Sequence, residues 1–339
     1  SRDLTAAERE EILADQTLSG QALAPLPFDS EATIDGAGAI VRALRANPDI
    51  KAVSPTLGAH SNPQGNPRLA ILGGGVMGEA LLAGALDSGW GVDDVVVTEP
   101  YPARAAELTT RYGVRCVASS ADQVREADVV VVALKPKDVA GVLAEIAGSL
   151  RPGTLLVSVA AGLPCAFYEQ RLPAGTPMVR VMPNTPAVIG KGASAISTGA
   201  HATEDHLALT EQILARTGLV VRVDEKDLDA VTAISGSGPA YVFYVVDALA
   251  EAGVLLGLTR DRARQLAVAT VAGAAALLEK TGEHPVILRE RVSSPGGTTV
   301  AGLRELDAHG VRAAFLAAAE AARDRSRELA AEASAAPGA

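Results

Sequence analysis

From residue 68 onward, short apolar runs alternate with longer stretches whose apolar residues recur at helical spacing. Runs at 69–72, 95–98, 116–117, 128–133 and 154–159 read as strands, and the stretches at 76–88, 102–112 and 136–150 read as helices. The run at 128–133 contains four consecutive valines. A strand apolar at every position has to be covered on both faces, so the pattern predicts βαβ units and a parallel sheet with helices on each side. Runs at 178–182, 193–197 and 219–223 extend that sheet, with a further helix over 204–217.

After Asp224 the strands stop. Segments 228–257, 260–280, 284–292, 299–307 and 311–331 are rich in Ala and Leu and read as helices, with Asp227 and Thr259 as N-caps and Gly257 and Gly310 as stops. Parts of them, such as 266–276, are apolar nearly all round. A helix of that kind must be buried on every side, which one layer of helices does not provide, so pairing of two copies through this region is expected. The expected fold class is α/β, a Rossmann-type doubly wound sheet over 68–224, followed by an all-α dimerisation domain over 225–332 and a tail at 333–339. Residues 1–67 have a different texture. Short helices near 5–13 and 40–46 are separated by a stretch containing Pro25, Pro27, Gly36 and Gly38, and a Pro/Gly/Asn stretch over 55–67 reads as a linker. This extension carries no recognisable chemistry and reads as a poorly ordered appendage.

Composition narrows the function classes. The chain has 339 residues, enough for about two domains at roughly 100–200 residues each. Its 30 basic and 40 acidic side chains leave a formal charge of −10, which argues against nucleic acid or an anionic membrane as partner. Aromatic residues, at 3%, are too scarce for base-stacking platforms. Two cysteines, Cys116 and Cys165, make neither a disulfide framework nor a structural zinc site, so a reducing compartment, the cytoplasm, is expected. The opening residues do not resemble a signal peptide, and the apolar run at 266–278 is too short to span a bilayer. No metal-ligand spacing occurs, and His60, His201, His206, His284 and His309 all fall outside the motifs, so no metal is expected.

The chemistry begins at Gly73-Gly74-Gly75-Val76-Met77-Gly78, a G-x-G-x-x-G element between a strand and a helix. In that context the first glycine serves the tight turn, the second lets backbone approach a pyrophosphate, and the third allows close helix–strand packing. Glu99, at the end of the next strand, stands where an acid bonds the ribose hydroxyls of NAD. Arg104, close behind, is suited instead to the extra phosphate of NADP, and a solvated strand-end carboxylate is the plain alternative for Glu99. Ala133-Leu134-Lys135-Pro136 and Val159-Ala160-Ala161 also end strands, the edge at which doubly wound sheets bind ligands. Near the other end of the chain, Ser293-Ser294-Pro295-Gly296-Gly297-Thr298-Thr299 opens a helix. The N–H groups of Gly297, Thr298 and Thr299 there suit a small anion such as a carboxylate, with Ser294, Thr298 and Thr299 adding hydroxyls; a plain N-cap with a glycine turn is the alternative.

With these blocks, Met182-Pro183-Asn184-Thr185-Pro186, Ser235-Gly236-Ser237-Gly238-Pro239-Ala240-Tyr241 and Val292–Thr299 followed by Leu303 and Asp307, the chain resembles the pyrroline-5-carboxylate reductase family from Arg68 to about Leu329. The resemblance implies a Rossmann domain, a helical domain that interlocks two subunits, often rings of dimers, and reduction of 1-pyrroline-5-carboxylate to L-proline with NADPH or NADH. It also implies roles. Gly73–Gly78 would hold the pyrophosphate, Ala133–Pro136 and Val159–Ala161 would flank the nicotinamide half, Ser120 would contact the adenosine side, and Asn184 would lie near the nicotinamide. Gly297, Thr298, Thr299 and Ser294 would take the substrate carboxylate. The Thr299 hydroxyl would meet the imine nitrogen as the catalytic group, and Val292 would pack on the ring. Glu99 departs from the small polar residue that many members carry, which leaves NADH open beside NADPH. A β-hydroxyacid dehydrogenase of similar layout would need a lysine on the first long helix of the second domain, and none occurs between Asp227 and Arg260. A non-catalytic dinucleotide-binding scaffold is the rival of a different class; the intact glycines and the intact Val292–Thr299 segment count against it.

Overall fold

The computed structural model describes residues 65–335. The helices expected at 5–13 and 40–46, and all but the end of the linker, lie outside them. Each apolar run became a strand: β1 (Leu69–Leu72), β2 (Val95–Thr98), β3 (Arg115–Val117), β4 (Val129–Val132), β5 (Leu155–Ser158), β6 (Met178–Met182), β7 (Gly192–Thr198) and β8 (Gly218–Arg222). They form one sheet in the order β3-β2-β1-β4-β5-β6-β7-β8. The valines of β4 show why the run is apolar throughout. Val129 and Val131 enter one core cluster with Leu69, Ile71, Leu82 and Ile213, while Val130 and Val132 enter the other with Ala70, Leu72, Leu143 and Tyr168. Each such fully buried aliphatic side chain contributes about 1.5–3 kcal/mol over exposure.

Helices α1 (Val76–Asp87), α2 (Pro102–Tyr112) and α6 (Glu204–Leu214) supply the first cluster. The other is supplied by α3 (Ala121–Val124), α4 (Pro136–Ile146) and α5 (Cys165–Glu169). The sheet is doubly wound as expected, but not wholly parallel: β7 runs antiparallel to β6, pairing Val179 with Thr198 and Met182 with Ala195. Only residues 183–191 join the two strands, too few for a crossover helix, so the chain turns back on itself. The 136–150 helix ends at Ile146 and tightens into a 3₁₀ turn over Ala147–Ser149.

The C-terminal region is all helix, in α7 (Leu228–Val231), α8 (Gly238–Leu255), α9 (Arg260–Thr281), α10 (Pro285–Arg291), α11 (Thr298–Ala308) and α12 (Val311–Ala335). The expected single helix over 228–257 is broken by a π-turn at Thr232–Gly236, where the Ser237 N–H reaches back to the Thr232 carbonyl. Pro239, which lacks an N–H, sits in the first turn of the helix that restarts there. A Cβ on Gly236 would lie 2.4 Å from the Met182 Cε, so the π-turn sits against the end of β6. Helix α8 packs on α9, α12 packs on α7 and the π-turn, and α11 packs on α12.

Large apolar side chains of α8 remain uncovered in the single chain, among them Phe243 (66% exposed), Tyr244 (78%) and Leu255 (87%). The stretch Glu225–Leu255 is also long and apolar enough to cross a membrane by length and composition. Interruption by the π-turn and by Gly238-Pro239 makes this stretch two helices rather than one continuous rod.

Candidate active site

Strand register sets the nucleotide end of the site. Leu72 pairs with Thr98 on one side and Val132 on the other, and Val132 pairs with Ser158. Gly73, Glu99, Ala133 and Val159 therefore leave the sheet at one level, along its carboxyl edge, on both sides of the β1–β4 boundary where the strand order reverses. That reversal is the crevice in which such sheets hold dinucleotides. The loop itself is built for close approach. Gly73 has φ +106°, and a Cβ on it would lie 2.5 Å from the Ala133 carbonyl oxygen and 2.9 Å from Leu134 Cδ2. A Cβ on Gly78 would lie 1.9 Å from the Gly73 carbonyl oxygen, yet one on Gly75 would meet nothing within 4 Å. The outer glycines thus serve the protein, while the middle one faces open space at the start of α1, where unpaired N–H groups favour an anion. The Thr98 hydroxyl, buried at the same edge, has no hydrogen-bond partner among the described residues. These residues fit a dinucleotide.

Glu99 is not a solvated strand-end acid. It is 7% exposed, its Oε2 accepts from the Gly74 N–H (3.1 Å) and its Oε1 from the Tyr101 N–H (3.0 Å). Arg104 is equally engaged. Its Nε donates to the Gly74 carbonyl (2.8 Å), and its guanidinium pairs with Glu79 and with Glu107 (2.8 Å). Glu79, which the sequence reading did not single out, is the hub: Arg104, Arg111 (2.6 Å) and the Tyr112 hydroxyl (2.9 Å) all donate to it. Burial works to raise the Glu79 pKa, but the hydrogen bonds from Arg104, Tyr112 and Arg111 outweigh it and hold the carboxyl at about 2, below its usual 4.5. The signal was an acid in the first turn of α1 and an arginine in the first turn of α2, visible only once the two helices lie side by side.

Because its pKa is depressed on folding, Glu79 contributes stability that is present above about 4.5 and lost as pH falls toward 2. The Tm difference between the wild type and Glu79→Gln is expected to be largest at neutral pH and to narrow steadily below pH 4. A difference independent of pH between 7 and 3 would show that the charge contributes nothing.

The remaining expected contacts are placed unevenly. Lys135 caps α4 and is exposed, with Leu134 against Gly73. Val159 is half-buried and Ala161 exposed, but Ala160 turns into the core beside Leu163, with its N–H on Ser158 Oγ (3.2 Å). Ser158 in turn bonds Tyr168 Oη, whose pKa burial raises to about 12. Ser120, which the resemblance assigns to the adenosine side, lies past the end of edge strand β3, buried and with its N–H on Glu145.

Asn184 lies at the right edge but is committed elsewhere. Its Nδ2 donates to the Ser235 carbonyl and hydroxyl (both 3.2 Å), and its Oδ1 accepts from the Ala193 N–H (2.8 Å). These bonds make Asn184 a bracket between the sheet and the π-turn. Glu225 makes a second bracket, to Arg180 (3.2 Å) and the Cys165 N–H (2.6 Å).

At the other end, Val292 follows α10 and is exposed, as are Ser294 and Thr298, while Gly297 and Thr299 are half-covered. Gly297 is the N-cap of α11, but its N–H is spent on the Ser294 carbonyl (2.9 Å). That removes Gly297 from the expected anion donors and leaves Thr298 and Thr299, whose N–H groups lie in the first helical turn without intrahelical partners. The helix that this cradle opens, α11, packs on α12. His206 and His284 act as helix caps, accepting from the N–H groups of Thr203 (3.0 Å) and Val286 (3.3 Å).

Comparison with known proteins places this architecture. The family described as pyrroline-5-carboxylate reductase dimerisation matches residues 225–329, and the one described as NADP oxidoreductase, coenzyme F420-dependent, matches 68–162. The pyrroline-5-carboxylate reductase of Corynebacterium melassecola is 46% identical over 264 residues, covering 77% of this chain and 98% of the relative. The chain belongs to the pyrroline-5-carboxylate reductase family. Its Mycobacterium tuberculosis (strain ATCC 25618 / H37Rv) member is 44% identical over 288 residues, covering 78% of this chain and 97% of its own. Among solved structures, the family member from Coxiella burnetii superposes with a TM-score of 0.74 at 33% identity, covering 78% of this chain and 98% of that one. The Plasmodium falciparum enzyme, with NADP bound, gives 0.70 at 29% identity, with the same two coverages. The exposed apolar face of α8 lies within the family's dimerisation region.

Proposed function

We propose the following assignment of roles for the reaction of this family. The chain reduces 1-pyrroline-5-carboxylate to L-proline, using a nicotinamide dinucleotide, and acts as a homo-oligomer. The observation that carries the reading is 46% identity across 98% of a pyrroline-5-carboxylate reductase. When bound, the reduced nicotinamide supplies a hydride to the C=N carbon.

Gly73–Gly78 take the pyrophosphate, and Leu134 and Val159 border the nicotinamide half. Thr298 and Thr299 hold the substrate carboxylate on their N–H groups, Val292 covers the ring, and the Thr299 hydroxyl bonds the imine nitrogen and relays the proton that it gains. A cyclic iminium already accepts hydride, so orientation and one hydroxyl suffice. Pairing through the exposed helical face brings the cradle of one copy to a glycine loop; the exposure of Ser294 and Thr298 supports this. Two free cysteines support a reducing, cytoplasmic location.

For the nucleotide, we read NADH as used at least as efficiently as NADPH. Buried Glu99 places negative charge where a 2′-phosphate would sit, and Arg104 is already saturated by Glu79, Glu107 and Gly74. The test is oxidation of each nucleotide by the purified protein with pyrroline-5-carboxylate. Turnover with NADH at a kcat/KM no lower than with NADPH is expected. No turnover with either would defeat the assignment, and a strong NADPH preference would defeat the nucleotide reading.

A further inference from the structure

We infer that Arg104 is a positioning residue that aims the Gly75 N–H at the dinucleotide pyrophosphate, and that it does not read a 2′-phosphate. This rests on the nucleotide site proposed above. The Gly74 carbonyl and the Gly75 N–H belong to one peptide plane, and the described residues contain no cis peptide. In a trans peptide these two groups point in opposite directions. Arg104 Nε holds the Gly74 carbonyl at 2.8 Å on the α2 side, so the Gly75 N–H is turned away from α2. It has no partner among the described residues, and the space at Gly75 is open. The preceding plane is fixed as well, because the Gly74 N–H donates to Glu99 Oε2 at 3.1 Å. Glycine would otherwise leave both planes free to rotate.

Arg104 is itself held in place. Glu79 and Glu107 take the guanidinium nitrogens and leave Nε for the carbonyl. The same pairing compensates the charge of Glu79, which sits in the first turn of α1, where a bare carboxylate would oppose an incoming phosphate. Lysine has one nitrogen and cannot make the planar contacts to two carboxylates and a carbonyl together.

The test is Arg104→Met and Arg104→Lys in the full chain, with NADH and NADPH affinities measured by titration and loop dynamics by hydrogen–deuterium exchange without nucleotide. Arg104→Met is expected to weaken NADH and NADPH alike, by about tenfold. It should speed exchange in peptides covering 73–80 while leaving those of α8 and α9 unchanged, with Arg104→Lys recovering only part of the loss. A loss confined to NADPH would make Arg104 a phosphate reader and overturn the inference, as would unchanged affinity for both. Faster exchange throughout the chain would show a merely structural arginine and also overturn it. Failure of the wild type to bind either nucleotide would instead sink the nucleotide site on which the inference rests.

Discussion

Gly78→Ala is expected to cost the protein both its nucleotide and part of its stability, whereas Gly75→Ala, three residues away, costs only the nucleotide. The added Cβ at Gly78 would stand 1.9 Å from the Gly73 carbonyl oxygen. That is a backbone atom at the end of a central strand, so no side chain can swing aside; the helix or the loop has to move. Overpacking of this kind costs about 3 kcal/mol, a fall in Tm of roughly 10 °C. The displaced loop no longer offers its N–H groups in register, so NADH affinity is expected to drop beyond detection. At Gly75 the backbone is extended, with φ −67° and ψ −174°, which any residue adopts, and no atom lies within 4 Å of the added methyl. Gly75→Ala should therefore melt like the wild type while binding NADH about a hundredfold more weakly, because the methyl occupies space meant for phosphate. Calorimetry and titration on the two variants separate these outcomes. Equal melting temperatures for both, or undiminished NADH binding by Gly75→Ala, would mean that the loop is a structural turn only.

Thr299→Ala carries the other large expected effect. With Gly297 withdrawn by its bond to Ser294, the first turn of α11 offers the N–H groups of Thr298 and Thr299 and two hydroxyls. Alanine keeps the N–H at 299 and removes only the hydroxyl. Carboxylate binding, and with it KM, should change little, whereas loss of the proton relay should lower kcat about a hundredfold, or about 2.7 kcal/mol in the barrier. NADH affinity should not move, since the two ends of the site are built from separate elements. Thr299→Ser should recover most of the rate. Steady-state kinetics on both variants decides the point: an unaffected kcat removes the relay, and a rise in KM alone makes Thr299 a binding residue.

The sequence was most informative wherever a feature is local. Four valines in a row can only be a strand buried on both faces, and β4 splits them between the two core clusters. Gly73–Gly78 could be read for the same reason, since turn, approach and packing are properties of six consecutive residues. Glu99 and Arg104 were visible as charges at the right place, but their partners were not. Whether an acid reads a ribose or caps a glycine loop depends on where its two oxygens point, and here they point at Gly74 and Tyr101. The partners of Asn184 were out of sight in the same way, for Ser235 lies 51 positions on.

By itself, then, the order of residues determined the strands, the glycine loop, the helical second region and the amide-bearing turn before α11, because periodicity and backbone conformation act over a few positions. Only the assembled chain decided the reversed direction of β7, the clamp of Glu99 and Arg104 on Gly74, the withdrawal of Gly297 and the Asn184 bracket. Those depend on short directional bonds between groups far apart along the chain, and a hydrogen bond has no signature until both of its ends are in place.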